Sequence, residues 1–246
     1  MTRPAARAAG PQARSPFFFF CDHASNHMPE AFDGLGLSDA ERGMHIAYDI
    51  GAEALTEVLC DRFDARGVYS TFSRLIVDPN RGLERPDLIP EISGGIVVPG
   101  NQNLSADARQ ARIDQFWKPY HAALADEIAA HDDARPRDAV IVSVHSFTPQ
   151  LLDEARPWQV AVLWNNDEAS ARRVIDHLIE ARLEVGDNVP YSGRETYNHS
   201  IDAHVGPREL AHVTFEVRQD LLTTPAGIDR MADLLSRSLR DLIEGR

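Results

Sequence analysis

Three ionisable residues stand at or just beyond the ends of short apolar runs: His23 after 17–21, His145 after 139–144, and Glu216 near the end of 213–217. Taken singly, each would pass as a packed or solvated side chain. On one shared rim they would bring two imidazoles and a carboxylate into a single crevice. Two neutral imidazoles and one carboxylate, with a fourth position open, are the usual protein ligands of a hydrolytic zinc ion. A separate glutamate can then take a proton from the bound water, whose pKa the metal lowers to about 7. Asp49 is expected to be the third ligand. It reads as lying on the buried side of a helix beside Ile46 and Ile50, where an unpaired carboxylate is costly and wants a metal or an arginine.

This metal reading rests on placement, because the chain has no HExxH motif. A serine nucleophile would lack its Gly-x-Ser-x-Gly elbow; Ser25 and Ser146 each stand near a histidine, as turn and cap residues often do. Cys21 adjoins Asp22 and His23, yet an apolar strand would raise its thiol pKa and leave it inert. Arg74, Asn80 and Arg81 cluster around the Asp78-Pro79 turn. Arginine offers a carboxylate two parallel donors and asparagine both donates and accepts, so the trio suits an acidic substrate; the plainer reading is a set of surface ion pairs. His204 is a further polar candidate, whereas His27, His131, His177, His199 and His212 are expected to be structural or to face solvent.

The elements around these residues must position them. The runs 17–21, 139–144 (apolar apart from Ser143), 159–163 and 213–217 read as strands buried on both faces of a sheet, and 68–69 and 75–77 as further strand material. A helix is expected over 38–66, opened by the Ser38/Glu41 capping box, striped by Ile46, Ile50, Leu55, Val58 and Leu59, and stopped by Gly67. Others are expected from Ser105 to about 130 with a bend near Pro119, over 169–184, and over 226–243. The Pro- and Gly-rich segment 82–103 reads as a functional loop or a partly disordered insertion. Strands separated by helices, with no internal repeat or composition break, predict an α/β sandwich on a mostly parallel sheet, whose ligands gather at the carboxyl ends of the strands. The expected organisation is an unstructured tail over 1–15 and one catalytic domain over 16–246.

Composition narrows the function further. The 246 residues carry 25 Lys+Arg against 38 Asp+Glu, a formal charge of −13, without a basic run to follow a phosphate backbone, so no nucleic-acid partner is expected. Lys118 is the sole lysine and sits in an expected helix, which leaves Schiff-base chemistry little footing. The arginine excess fits planar recognition of carboxylates, or compositional bias. Two cysteines, Cys21 and Cys60, make no disulfide framework and no CxxC pair, so a reducing cytoplasm is the expected compartment. No apolar stretch approaches the roughly 20 residues of a membrane span. Arg3, Arg7 and Arg14 resemble a signal n-region, but Asp22 cuts the following apolar run too short.

A family resemblance rests on several blocks in order. They are Cys21-Asp22-His23-Ala24-Ser25-Asn26, His45-Ile46-Ala47-Tyr48-Asp49-Ile50-Gly51-Ala52 and Ser73-Arg74-Leu75-Ile76-Val77-Asp78-Pro79-Asn80-Arg81, then Pro99-Gly100-Asn101, Pro119-Tyr120-His121, His145-Ser146-Phe147 and Phe215-Glu216-Val217-Arg218-Gln219-Asp220. Together they resemble the N-formylglutamate amidohydrolase family from about Phe17 onward. The resemblance implies a three-layer α/β/α sandwich with a mostly parallel or mixed sheet, phosphorylase/hydrolase-like and similar to zinc carboxypeptidases and aspartoacylase. It implies a divalent metal, zinc before others, and hydrolysis of an N-acyl amino acid such as N-formylglutamate. His23 and His145 match metal-binding positions, Glu216 the general base, and Arg74, Asn80 and Arg81 contacts to the substrate carboxylate. The wider carboxypeptidase pattern, His-x-x-Glu, is not kept, because position 26 is Asn.

The expected mechanism has Glu216 remove a proton from water and pass it to the departing amine, an arginine clamp the substrate carboxylate, and His204 stabilise the oxyanion. Two other readings stay open: a carboxypeptidase-like peptidase or amidase on small peptides or cell-wall amides, and a non-catalytic protein that binds acidic ligands.

Overall fold

The computed structural model describes residues 3–12, 14–195 and 198–244. Among these, the strands are β1 (Ala6–Ala9), β2 (Phe17–Cys21), β3 (Arg66–Ser70), β4 (Ile92–Ser93), β5 (Ile96–Val97), β6 (Val140–Phe147), β7 (Gln150–Leu151), β8 (Glu154–Ala155), β9 (Val160–Leu163), β10 (Val185–Asp187) and β11 (Ala211–Arg218). The α-helices are α1 (Asp39–Arg42), α2 (Ala52–Phe63), α3 (Ala106–Arg112), α4 (Lys118–Ala134), α5 (Glu168–Glu180), α6 (His199–His204) and α7 (Pro225–Glu244).

Seven strands form one sheet in the order β1-β3-β2-β6-β11-β9-β10, and β4-β5 and β7-β8 are separate hairpins. Strands β3, β2, β6 and β11 run parallel, β10 runs parallel to β9, and β1 and β9 are antiparallel to β3 and β11. The apolar runs are strands because both faces of this sheet are covered. Phe17 and Phe19, with Val142, Val144, Phe215 and Val217, pack against Leu55 and Leu59 of α2, Val174 and Leu178 of α5, and Leu235 and Leu239 of α7. Phe18, Phe20 and Ile141 pack on the other side with Tyr120, Leu124 and Ile128 of α4. The result is three layers. Because side chains alternate along a strand, His145 and Glu216 fall on the α4 side, out of phase with the valines between them.

Four expectations change. The tail is not structureless: β1 pairs along the free edge of β3, where Arg7 bridges Glu53 and Glu57 at 2.8 Å each and lies 4.1 Å from the centre of the Tyr69 ring. Met1, Thr2 and Ala13 of that tail lie outside the described residues. The helix expected over 38–66 is two helices. The Ser38/Glu41 capping box opens only the single turn of α1, and α2 begins after Gly51, whose φ is +80°. Asp64, in the left-handed region at φ 50°, ends α2, so Gly67 is not the stop but lies inside β3, where a Cβ would come 2.7 Å from the Tyr69 hydroxyl and 2.8 Å from the Cys60 sulfur. Residues 75–77 are no strand: a turn covers 74–76, with the Ile76 amide bonded to the Ser73 carbonyl. The bend near Pro119 is a π-helical stretch, Ile113–Trp117, that precedes α4.

The segment 82–103 is held in place rather than loose. The Asn101 amide donates to the carbonyls of Leu75 and Pro90, and Arg112 donates to Ile76, Gly100 and Asn101. Among the described residues, no helix is long and apolar enough to cross a membrane.

Candidate metal centre

The carboxyl ends of the parallel strands deliver the site. His145 is the sixth residue of β6, and Glu216 lies beside it in the β6–β11 register. His23 sits in the turn that leaves β2. Its carbonyl accepts the Asp49 amide at 2.9 Å, which pulls the segment between α1 and α2 onto the strand end. Asp49 is therefore a residue of the irregular segment between α1 and α2, not a helical one. Gly51 makes the approach possible, because a Cβ there would overlap Leu222 and the backbone is already left-handed.

Asp49 is the hub. Its Oδ2 lies 2.8 Å from His145 Nδ1, 3.3 Å from His23 Nδ1 and 3.2 Å from the Ser146 amide nitrogen. The far nitrogen of each ring meets a different carboxylate: His23 Nε2 lies 2.7 Å from Asp78, and His145 Nε2 lies 3.5 Å from Asp22. Those acids are braced in turn. Asp22 accepts from the Tyr120 hydroxyl at 2.7 Å and the Ser200 hydroxyl at 2.8 Å, and Asp78 accepts from Arg74 and the Asn80 amide. All of these ligand candidates are buried.

Electrostatics follow from this packing. Burial alone would raise the Asp49 carboxyl, but the two imidazoles overcome it and hold the group well below the usual range. Asp78 is lowered in the same way, against burial, by Arg74 and His23. Burial opposes charge on His145, yet Asp22 and Asp49 raise it to about 10. Glu216 goes the other way: burial, helped by Asp49 and opposed by His145, pushes it up to about 7.

The donor set fits a divalent metal. The candidate atoms of His23, Asp49 and His145 lie within 4.8 Å of one another, close to the roughly 3.5 Å separation of atoms that share a zinc ion. His23 presents one nitrogen to the centre and hydrogen-bonds the other to Asp78, the arrangement that orients zinc-bound histidines, while His145 Nε2 faces Asp22 at 3.5 Å without a hydrogen bond. Asp22 and Asp49, which favour positive charge on His145, would equally favour a cation at this point.

A cavity of about 280 Å³ opens onto the centre, lined by His23, Asp49, His145, Glu216, Arg74, Asn80 and Arg81 among others. Arg74 is committed to Asp78 at 2.6 Å and Asp49 at 3.3 Å, and Arg81 pairs with Asp87 at 3.1 Å. Asn80 accepts the Ser200 amide through Oδ1. His204 does not join them. It sits on α6 and meets His121 of α4, with 2.7 Å between His121 Nδ1 and His204 Nε2, so it lies outside the cavity lining. His27 is exposed; His131 and His212 bond backbone carbonyls; His177 is half-buried; and His199 lies among Trp117 and His121. The Ser146 hydroxyl donates to the Ile50 carbonyl, Ser25 accepts the His27 amide, and burial pushes the Cys21 thiol well above its ordinary value. Asn26 is exposed and donates to the Arg42 carbonyl, away from the centre.

Sequence reasoning passed over Asp22, Asp78, His45 and Tyr191. The first two had a signal, since they adjoin a candidate histidine or lie within the Arg74–Arg81 cluster. His45 and Tyr191 had none, because only the folded chain places them on the cavity wall.

A mostly parallel sheet with helices on both faces, carrying a buried histidine–carboxylate centre at its strand ends, defines a three-layer α/β hydrolase. The N-formylglutamate amidohydrolase family model matches residues 15–223, and the chain belongs to that family. It is on that footing an amide hydrolase. A crystal structure of a gene product from Agrobacterium tumefaciens is 32% identical, with a TM-score of 0.93 over 98% of this chain and 95% of that one. The fold is shared with N-formylglutamate amidohydrolase from Ralstonia eutropha JMP134, at a TM-score of 0.73 and 19% identity over 98% of each chain. It is shared more distantly with a bacteriophage poly-gamma-glutamate hydrolase, at a TM-score of 0.54 and 9% identity over 100% of this chain and 93% of that one. No protein of curated function matches the chain.

Proposed function

We propose that this chain is a zinc-dependent amidohydrolase that cleaves the linear amide of an acidic N-acyl amino acid, of the N-formylglutamate type, with residues 16–246 acting as one catalytic domain. The observation that carries the reading is the position of Asp49 between two imidazole nitrogens whose opposite nitrogens each face a further carboxylate. His23, Asp49 and His145 would hold the metal, which when bound supplies a Lewis acid for the acyl carbonyl and lowers the pKa of water.

Glu216 does the proton work. It stands beside His145 in the sheet, and its Oε2 is buried without a hydrogen-bond partner. A carboxylate kept dry and held near neutrality can accept a proton from water and return it to the leaving amine. Arg81 and Asn80, on the turn that also carries Asp78, orient the substrate carboxylate. Arg74, locked to Asp49 and Asp78, contributes positive charge to the same wall and keeps both acids in place. Two buried free thiols, Cys21 and Cys60, support a reducing compartment, the cytoplasm.

The test is a substrate panel with zinc-loaded protein: N-formyl-, N-acetyl- and N-succinyl-L-glutamate, then small peptides. The expected result is release of the free acid from an N-acyl glutamate, lost on chelation and restored by zinc. Release of amino acids from peptides alone would overturn the reading.

A further inference from the structure

A second cavity, of about 680 Å³, opens at the opposite end of the sheet from the metal centre. Ala139 and Ala211, at the starts of β6 and β11, line it. His145 and Glu216 lie six and five residues further along those strands, roughly 16 to 20 Å away at ~3.3 Å per residue. The turn before β6, the start of α5 and the turn before β11 close around this cavity, and the reaction proposed above leaves it unused.

His212 is the buried polar side chain on its wall, 4% exposed. Its Nδ1 lies 2.9 Å from the Leu210 carbonyl and must donate to it, so the neutral ring carries its lone pair on Nε2. Among the described residues Nε2 has no hydrogen-bond partner. The wall also carries two opposite charges, Arg137 and Glu209, which among the described residues pair neither with each other nor with anything else. The other arginines there have acids of their own: Arg135 has Asp138, and Arg173 has Asp241. Ala169, the second residue of α5, adds a backbone amide with no acceptor inside the helix, since the Asp167 cap takes the Ser170 amide instead. Donors for an anion and acceptors for a cation thus share one cavity, beside an apolar wall of Leu210 and Leu242. An anion alone would leave the acceptors bare, and a cation alone the donors.

We propose that this cavity is a second binding site, for the zwitterion of a free α-amino acid with an aliphatic side chain. Arg137 and the Ala169 amide take the carboxylate, Glu209 and His212 Nε2 take the ammonium, and Leu210 and Leu242 cover the side chain. The site stands independently of the reaction at the metal centre, because none of these residues lines that cavity.

The experiment is a calorimetric titration of the full chain with L-leucine and with two isosteres that each keep one charge, 4-methylpentanoate without the ammonium and 3-methylbutylamine without the carboxylate. L-Leucine should saturate one site per chain, and each isostere should bind at least about tenfold more weakly, because it leaves one set of charged partners unmatched. Arg137→Gln and Glu209→Gln change exposed side chains that hold nothing in the fold, and each should weaken L-leucine at least about tenfold. His212→Asn, whose amide can keep the bond to the Leu210 carbonyl while the Nε2 acceptor is lost, should weaken it about threefold or more. Failure of L-leucine to saturate would overturn the assignment, and so would equal affinities for the three compounds. A site for anions alone would hold 4-methylpentanoate as tightly as L-leucine, which also contradicts it. L-Leucine bound at the metal centre instead would keep its affinity in all three variants, and that result would sink the assignment whether or not the chain hydrolyses an N-acyl amino acid.

Discussion

Glu216 and His145 are register partners on two adjacent parallel strands, and both side chains rise from the same face of the sheet. Neither position can shift without moving a fully buried eight-residue strand, since β6 has no exposed residue. The proposed base and one proposed ligand are therefore fixed relative to each other by backbone hydrogen bonding rather than by loops. Rigid placement of this kind is what proton transfer and metal binding both require.

The carboxylates behind the histidines should tune metal affinity. Asp78→Asn removes the charge 2.7 Å from His23 Nε2, and Asp22→Asn removes the one 3.5 Å from His145 Nε2. Each should weaken zinc binding by about 10- to 100-fold, with one metal still bound at saturation. Competition against a chromogenic chelator measures this. Wild-type affinity in both variants would mean that these acids brace the fold and nothing more.

Gly51 is the backbone condition for Asp49. Ala at this position meets Leu222 and must hold a φ of +80°, so Gly51→Ala should cost about 1–3 kcal/mol and weaken zinc binding. Gly206→Ala is the control, because a methyl group there finds its nearest neighbour beyond the adjoining residues, the Asn166 side chain, at 3.8 Å. Thermal unfolding should separate the two variants. Equal melting temperatures would remove the strain argument.

How much of this could be read from residues alone varies by element. The strands at 17–21, 139–144 and 213–217 were legible because a sheet covered on both faces leaves an unbroken apolar run, and the ionisable residues that end those runs do meet at one edge. The break at Asp49 was not legible. Ile46 and Ile50 keep helical spacing, and what interrupts the helix is a bond to the His23 carbonyl from the far side of the turn. Likewise β1, an Ala-Arg-Ala-Ala segment, exists only because β3 has an edge to pair. His204 was misplaced because nothing local records that α6 turns it toward His121.

That histidine pair gives a pH dependence. His121 is held down to about 3, first by burial and then by His204, against an ordinary value of 6.5. The unfolded chain takes up this proton below about 6.5 and the folded chain does not, so the contribution is fully present above about pH 6.5 and lost as pH falls toward 3. Urea denaturation should show stability declining from about pH 6.5 to 4.5, with a shallower decline in His121→Gln. Parallel slopes would place the acid sensitivity elsewhere.

In the proposed reaction Glu216 moves the proton beside a metal held by other residues. Its direct test is product release from N-formyl-L-glutamate by wild type and Glu216→Gln, each carrying one equivalent of zinc verified by elemental analysis. The expected result is a fall in kcat of about 10²- to 10⁴-fold with zinc content unchanged. Full turnover in the zinc-loaded variant would contradict it.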